Sequence, residues 1–208
     1  MKRTKASNEC IICKNNKFKI VYPFDEIPEF KKIKPEKAIV KCENCSLVYC
    51  YPRNTEETML DVYENNYWHE FQTSIREQPI TERIDEFLNI SHERISYVSN
   101  FKNNCSLLDV GCSMGFLVKA AQDSGFIATG IDLNKKDIDL GIDLFNVDLK
   151  KQFLEQHKKS YDIITSYNVI EHVSDPKKIL EEMILRLNDD GIIVVGTHCA
   201  IVTGKHAQ

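Results

Sequence analysis

The sequence contains no apolar run approaching the ~20 residues that a membrane-spanning helix needs, so no helical span is expected. It has no surplus of positive charge: 27 Lys and Arg stand against 31 Asp and Glu, for a formal net charge of −4. That balance lacks the electrostatic footprint sought by nucleic acid or an anionic membrane surface, and neither is expected as a partner. The basic opening MKRTKASNEC is followed by no apolar segment, so no secretory signal is read there and the cytoplasm is the expected compartment. Internal repeats and low-complexity tracts are also missing. What is left is an ordinary globular composition, 42% hydrophobic and 28% charged over 208 residues. A chain of that length buries one good core, or one core with a small appendage.

Cysteine is plentiful by contrast, with eight residues at positions 10, 13, 42, 45, 50, 105, 112 and 199. In a reducing compartment these are not four disulfides. Four of them fall into two matched pairs, Cys10-x-x-Cys13 and Cys42-x-x-Cys45. Each pair can form a tight knuckle whose two thiolates point at one ion, and two knuckles close a tetrahedral site with no open position for chemistry. Thiolate ligands favour zinc, although iron accepts the same geometry. So short a segment has little core of its own, and structural zinc is worth on the order of 10 kcal/mol of folding free energy. Cys50 lies close enough to substitute as a ligand but reads as strand filler.

Three textures divide the chain. Residues 1–51 carry the cysteine pairs and short β-like runs, FKIVY, AIVKC and SLVYCY. Residues 52–79 form an aromatic-rich linker, with Tyr63, Tyr67, Trp68 and Phe71 able to serve as a lid or as a packed connection. From residue 80 to 208 the pattern becomes periodic. Ile80, Ile84, Phe87, Leu88, Ile95 and Val98 recur at helical spacing and predict a helix over 80–100. Apolar strands are expected at SLLDV before Gly111, at 126–133, at 145–149, at 161–170 and at 192–197, with a turn over 188–191. Helices fill the intervals: 116–123 closed by Gly125, about 134–144 capped by Asn134, and 176–187 capped by Asp175 with Pro176 at its first position. Strands that alternate with helices and are apolar throughout imply an α/β fold with a parallel, Rossmann-like sheet covered on both faces. Binding in such a sheet belongs at the carboxyl ends of the strands, near the point where strand order reverses.

The loop LLDVGCSMGF, starting at Leu107, occupies such a place. Counted as a phosphate-binding loop from Gly111, it puts Phe116 where the second glycine belongs, so that frame fails. Counted as the dinucleotide fingerprint G-x-G-x-x-G, it offers Gly111 but Ser113 and Phe116 at the other two glycines, which disfavours a nicotinamide cofactor. Asp132 ends the second strand 23 residues after Asp109, a spacing at which an acidic side chain can accept both hydroxyls of a ribose.

From Leu107 to Thr197 the chain resembles class I S-adenosylmethionine-dependent methyltransferases, whose first motif is approximately D-x-G-x-G-x-G. Asp109, Gly111 and Gly115 match it, and Ser113 departs at the middle glycine. The resemblance implies S-adenosylmethionine as cofactor, held by the loop backbone through Gly111, Cys112, Ser113 and Gly115, with Asp109 organising the site around the amino group. It implies ribose recognition by Asp132 with Leu133 beside it. Asp148, after the third strand, is implied to bond the adenine amino group, with Leu149 alongside. YDIITSYNVIEHVSDP resembles the family's segment after strand four. There Asn168 is implied to lie near the cofactor, His172 to act as general base towards a hydroxyl acceptor, and Glu171 as its orienter or alternate.

The N-terminal pattern C-x-x-C…C-x-x-C-S-L-V-Y…P-R followed by YENNYW resembles a bacterial subgroup in which a zinc ribbon precedes the methyltransferase domain. Its members accompany polysaccharide or sugar-nucleotide biosynthesis, so a small-molecule, sugar-linked acceptor is implied. The family sheet has seven strands, yet only eleven residues follow Thr197. The sheet is therefore expected to be truncated after its fifth strand, or its edge covered by a second copy in a homo-oligomer. Against the enzyme stands a reading from another class, a non-catalytic binding module whose degenerate methyltransferase domain holds a partner protein.

Overall fold

Consecutive residues of the central strand, Leu107 and Leu108, are both fully buried, one in each of two separate apolar clusters. That is what an unbroken apolar strand requires: a layer on each side of the sheet. The computed structural model describes residues 9–23, 37–53 and 80–197, and the chain divides into the units Met1–Met59 and Leu60–Gln208. Tyr63, Tyr67, Trp68 and Phe71 of the expected lid lie outside the described residues.

In the first unit, β1 (Phe18–Pro23), β2 (Ala38–Cys42) and β3 (Val48–Tyr51) form an antiparallel sheet in that order. Ala38, Val40 and Cys42 are buried and alternate with more exposed Ile39 and Lys41, the period of a strand with one covered face. The register sets Val40 opposite both Ile20 and Tyr49. Among the described residues of this unit the buried apolar set is small, and the paired cysteines Cys10 and Cys42 are part of it.

The described part of the second unit starts with a 3₁₀ turn, Ile80–Arg83, and α1 (Ile84–Ser99). There follow β4 (Ser106–Val110), α2 (Phe116–Asp123), β5 (Ile127–Asp132), α3 (Lys135–Phe145), β6 (Leu149–Lys151), β7 (Tyr161–Tyr167), α4 (Pro176–Ile184) and β8 (Leu187–Gly196). The sheet order is β6-β5-β4-β7-β8, with every pairing parallel. The chain thus leaves β4 in one direction for β5 and β6, then returns to its other side for β7 and β8. This reversal makes the carboxyl end of β4 the switch point. Ile95 and Val98 of α1, the apolar face of α2 and Ile138 of α3 bury one face of the sheet, together with Leu107 and Ile163. Met183 of α4 and Leu154 bury the other with Leu108, Val110, Ile131 and Ile164.

Two expected elements are moved. The third strand is not residues 145–149, because α3 runs on to Phe145 and the strand is Leu149–Lys151. Phe145 prefers the helix because its ring packs 5.3 Å from that of Phe116 on α2; Asn146 then ends the helix at φ +52. The expected turn at 188–191 lies within β8: Leu187 pairs with Tyr161 and Ile192 with Ile163, so those residues bulge out of a continuing strand. The expected caps form, with Asn134 Oδ1 accepting from the backbone of Lys136 and Asp137, and Asp175 Oδ1 from that of Lys178. Gly125 follows α2 at φ +88, as a C′ glycine does.

At the amino ends of the strands one carboxylate ties three of them together. Asp162 on β7 accepts from the backbone N–H and hydroxyl of Ser106 on β4, at 3.0 and 2.6 Å, and from Asn188 Nδ2 on β8 at 2.8 Å. The Ser106 hydroxyl first, and Asn188 second, hold its carboxyl down at about 2. A depressed carboxyl stabilises the fold above its unfolded-state pKa of ~4 and loses that contribution as the pH falls through its folded value. Asp162→Ala is expected to cost about 1 kcal/mol near neutral pH. In urea unfolding, the gap between wild type and variant should close as the pH falls from ~4 towards ~2; a gap that stays constant would refute the role.

Candidate functional site

The turn from β4 into α2 is built around backbone rather than side chains. Gly111 stands at φ +79, and a Cβ there would lie 2.2 Å from Val169 Cγ2, so no side chain fits. Its N–H and that of Cys112 both donate to the Ile131 carbonyl of β5, at 2.9 and 3.1 Å. Ser113 takes φ +47, and Gly115, at φ +75, begins α2. The Cys112 side chain is buried, facing Gly130, and burial first, then the charge of Asp132, pushes its thiol well above the ordinary range. Cys112 therefore presents backbone, not a reactive sulfur.

Asp132 ends β5 directly beside this loop. Its Oδ2 accepts from the Ser113 N–H at 2.8 Å, and its Oδ1 from the N–H groups of Leu133 and Asn134 at 2.7 and 2.9 Å. Burial raises its pKa, against the pull of those three donors. Asp109, 5% exposed in β4, accepts from Thr165 Oγ1 of β7 at 2.7 Å. Burial pushes its carboxyl up to about 7, against the Thr165 hydrogen bond and the charge of Arg94. Arg94, on α1, lies with its guanidinium 4.3 Å above the Tyr167 ring at the end of β7. Sequence reasoning passed over Arg94, Tyr167 and Thr165. Arg94 sits on α1 between buried Ser91 and Val98, and a charged residue at a core-facing register was the signal available.

Asn168 ends β7 at φ +57, and its N–H donates to the Gly196 carbonyl of β8 at 2.7 Å. The next residue, Val169, is the one that packs on Gly111, so the post-β7 turn and the loop are in direct contact. Glu171 and His172 follow in that turn and are exposed. The His172 N–H donates to the Val169 carbonyl at 2.9 Å, and among the described residues neither side chain has a hydrogen bond or an ion pair. Leu133 is half-buried and lines an open cavity of about 360 Å³ with Asn134, Lys135, Lys136, Asp139 and Lys151.

Asp148 is not brought to this site. Because β6 begins at Leu149 opposite Gly130, Asp148 stands beside Thr129, whose hydroxyl it accepts at 2.9 Å. That is three residues short of Asp132, roughly 10 Å along the strand. Its other described contact is Lys150, at 3.3 Å. Leu149 is 6% exposed and packs beneath Gly115 as part of the core. The residue that follows β6 is Gln152, whose N–H donates to the Asp132 carbonyl at 3.0 Å.

In the first unit the four paired cysteines converge, with all their sulfurs within 4.8 Å of one another. Cys10 and Cys45 Sγ are 3.5 Å apart, as are Cys13 and Cys42 Sγ. A tetrahedral ion with bonds of ~2.3 Å needs sulfurs about 3.8 Å apart, so the cluster can hold one metal ion. Each knuckle closes in the same way: Lys14 N–H donates to the Cys10 carbonyl and Ser46 N–H to that of Cys42, at 2.8 and 3.1 Å. Lys14 and Ser46 both take positive φ, at +59 and +62. The crowded thiols shift in opposite directions: the backbone N–H groups of Cys45 and Asn44 draw Cys42 down to about 6, while against the Leu47 N–H, burial and the neighbouring Cys13, Cys10 and Cys42 sulfurs push Cys45 up to about 12.

Comparison with known proteins agrees with this geometry. A family profile described as "Methyltransferase domain" matches residues 68–206. The ubiquinone biosynthesis O-methyltransferase of Rickettsia typhi is 29% identical over 122 residues, which are 52% of this chain and 50% of that protein. Its namesake from Saccharophagus degradans is 36% identical over 86 residues, 36% of this chain and 35% of its own. The chain thus spans about half the length, or less, of these curated relatives. Among solved structures, the plantazolicin methyltransferase BpumL in complex with a monoazolic desmethylPZN analog and SAH superposes with a TM-score of 0.50 at 19% identity. That match covers 66% of this chain and 55% of BpumL, and shows the shared fold. With the Rossmann-like sheet, the loop and the profile match in agreement, the chain belongs to the class I S-adenosylmethionine-dependent methyltransferase family.

Proposed function

We propose that the chain binds S-adenosylmethionine at the carboxyl ends of β4 and β5 and moves its methyl group to a small-molecule acceptor. The observation that carries this reading is charge. Asp109, Asp132 and Asp137 surround one short loop, buried or nearly so, and burial lifts the first two towards the neutral form. Carboxylates held out of water favour a cation and disfavour a pyrophosphate. S-adenosylmethionine brings an ammonium and a sulfonium; a dinucleotide brings two phosphates. In this reading the backbone of Gly111, Cys112, Ser113 and Gly115 passes beneath the methionine end, and Asp109 organises the ammonium. Arg94, the cation held over Tyr167, takes the methionine carboxylate. Asp132 accepts the ribose hydroxyls, and Leu133 with its cavity receives the adenine.

Bound there, the cofactor supplies a methyl group already activated as a sulfonium. Alignment then carries much of the catalysis. Asn168 holds the end of β7 beside the loop through Gly196 and Val169. His172 takes the proton of a hydroxyl acceptor, with Glu171 as its orienter or alternate; both are exposed on the turn that touches the loop. The acceptor is proposed to be a saccharide or sugar-linked molecule. What supports this is the resemblance of the N-terminal cysteine pattern and YENNYW stretch to proteins that accompany sugar biosynthesis. The four cysteines of the first unit are proposed to hold a structural zinc, since they leave no ligand position open for chemistry.

Calorimetric titration with S-adenosylhomocysteine should give one site per chain. Asp132→Ala and Arg94→Met should each weaken it about tenfold or more; no heat with wild type, or unchanged affinity in Asp132→Ala, would overturn the cofactor reading. For the metal, elemental analysis should find one zinc per chain, absent from a Cys42→Ser/Cys45→Ser variant, and a metal-free folded wild type would sink it. The base is tested by following S-adenosylhomocysteine release in the presence of nucleotide-linked sugars. His172→Ala should keep its cofactor affinity while turnover drops about 10²-fold or more, and turnover equal to wild type would leave His172 without the role.

A further inference from the structure

Ser113 departs from the glycine that the resembling motif carries at the middle of the loop, and it does so in a left-handed conformation, φ +47, that side chains rarely adopt. Two contacts hold it there. Its N–H donates to Asp132 Oδ2 at 2.8 Å, and its hydroxyl donates to Asp137 Oδ2, also at 2.8 Å. Asp137 lies in the first turn of α3 and is 2% exposed. One turn further along the same face, Gly141 lets the loop lie directly on the helix: a Cβ there would come within 2.2 Å of the Met114 carbonyl oxygen. The loop is therefore clasped between the end of β5 and the start of α3, and Ser113 is the residue that grips both.

We infer that Ser113 and Asp137 are a positioning pair that fixes the cofactor loop in its binding conformation before the cofactor arrives. This rests on the S-adenosylmethionine reading of the same site. A glycine at this position is free to take φ +47 but equally free to leave it. The serine stays because its hydroxyl has a buried carboxyl acceptor. The Ser113 N–H is in turn what orients Asp132 Oδ2, so the pair acts on the ribose-binding carboxylate without touching the cofactor through its own side chains. Asp137 is the counterpart that makes the serine tolerable.

The test uses the full chain, S-adenosylhomocysteine as probe, and hydrogen exchange of the cofactor-free protein. Ser113→Ala and Asp137→Ala are each expected to weaken binding about tenfold, and the double variant to be no weaker than either alone, because both remove one interaction. Asp137→Asn keeps an acceptor and should recover most of what Asp137→Ala loses. In the absence of probe, the amides of residues 112–115 should exchange faster in Ser113→Ala than in wild type, at a temperature where both are fully folded. A pair that merely supports the fold would lower the unfolding midpoint and leave affinity and local exchange unmoved. Wild-type binding matched by Ser113→Ala, additive losses, or unchanged loop exchange would overturn the inference. A wild type that binds no probe would instead overturn the cofactor reading, with the exchange measurement still deciding whether the pair orders the loop.

Discussion

The carboxylate of Asp132 receives three backbone N–H groups from two different segments, and the arrangement of the site follows from that convergence. Ser113 belongs to the turn leaving β4; Leu133 and Asn134 belong to the turn leaving β5. One anion thus joins two neighbouring strand ends at the place where strand order reverses. Burial works against the charge and raises the pKa, while the three donors work for it. An acid under such opposed pressures is held in a fixed orientation with little water around it. In the proposed reading, binding the ribose diol then requires no reorientation of the acceptor, which is where preorganisation saves free energy.

The same convergence explains why the neighbouring acids do not simply repel one another apart. Asp109 lies one strand away on β4 and is tied to Thr165 of β7; Asp137 is held on α3 by Ser113. Each has a neutral hydroxyl as an immediate partner, so the negative field of the cluster is oriented but only partly cancelled. Arg94 is the cation that acts on Asp109, and the same guanidinium lies over Tyr167. The result is an end of the sheet that is acidic at the loop and basic at α1. In the proposed reading that polarity receives the zwitterionic tail of the cofactor, the ammonium towards Asp109 and the carboxylate towards Arg94.

Much of this was legible in the sequence where local chemistry decides the outcome. Asn134 and Asp175 cap their helices because a side-chain oxygen can reach the free amides of the first turn, a matter of a few residues. The two Cys-x-x-Cys pairs converge because the knuckle is itself a local structure, repeated at Lys14 and Ser46. The third strand was misplaced because the apolar run around Phe145 suits a helix or a strand equally. The packing of Phe145 against Phe116, from a different element, settles it. Arg94 and Asp137 were passed over for a related reason. Each is a charged residue on the inward face of an amphipathic helix, which breaks the pattern used to find the helix. Residues that violate a local rule are where a fold serves something other than its own stability.

Asp148 shows the limit from the other side. Its spacing after the second strand fits an adenine contact, but spacing fixes a position along the chain and not a level in the sheet. The pairing of Gly130 with Leu149 sets that level, and it leaves Asp148 against Thr129 and Lys150. The carboxyl end of β6 instead presents Lys151 and Gln152. The Gln152 side chain is engaged by His157 Nδ1 at 3.1 Å, and its N–H by the Asp132 carbonyl. In the proposed reading, recognition of the adenine ring falls to the Leu133 side chain and to the rim of the cavity beside it, where Lys136 and Lys151 stand. An apolar wall with a polar rim fixes the plane of a flat ring more firmly than it reads the ring's edge. In the proposed reading, the acidic loop rather than the adenine end makes this site selective for its cofactor.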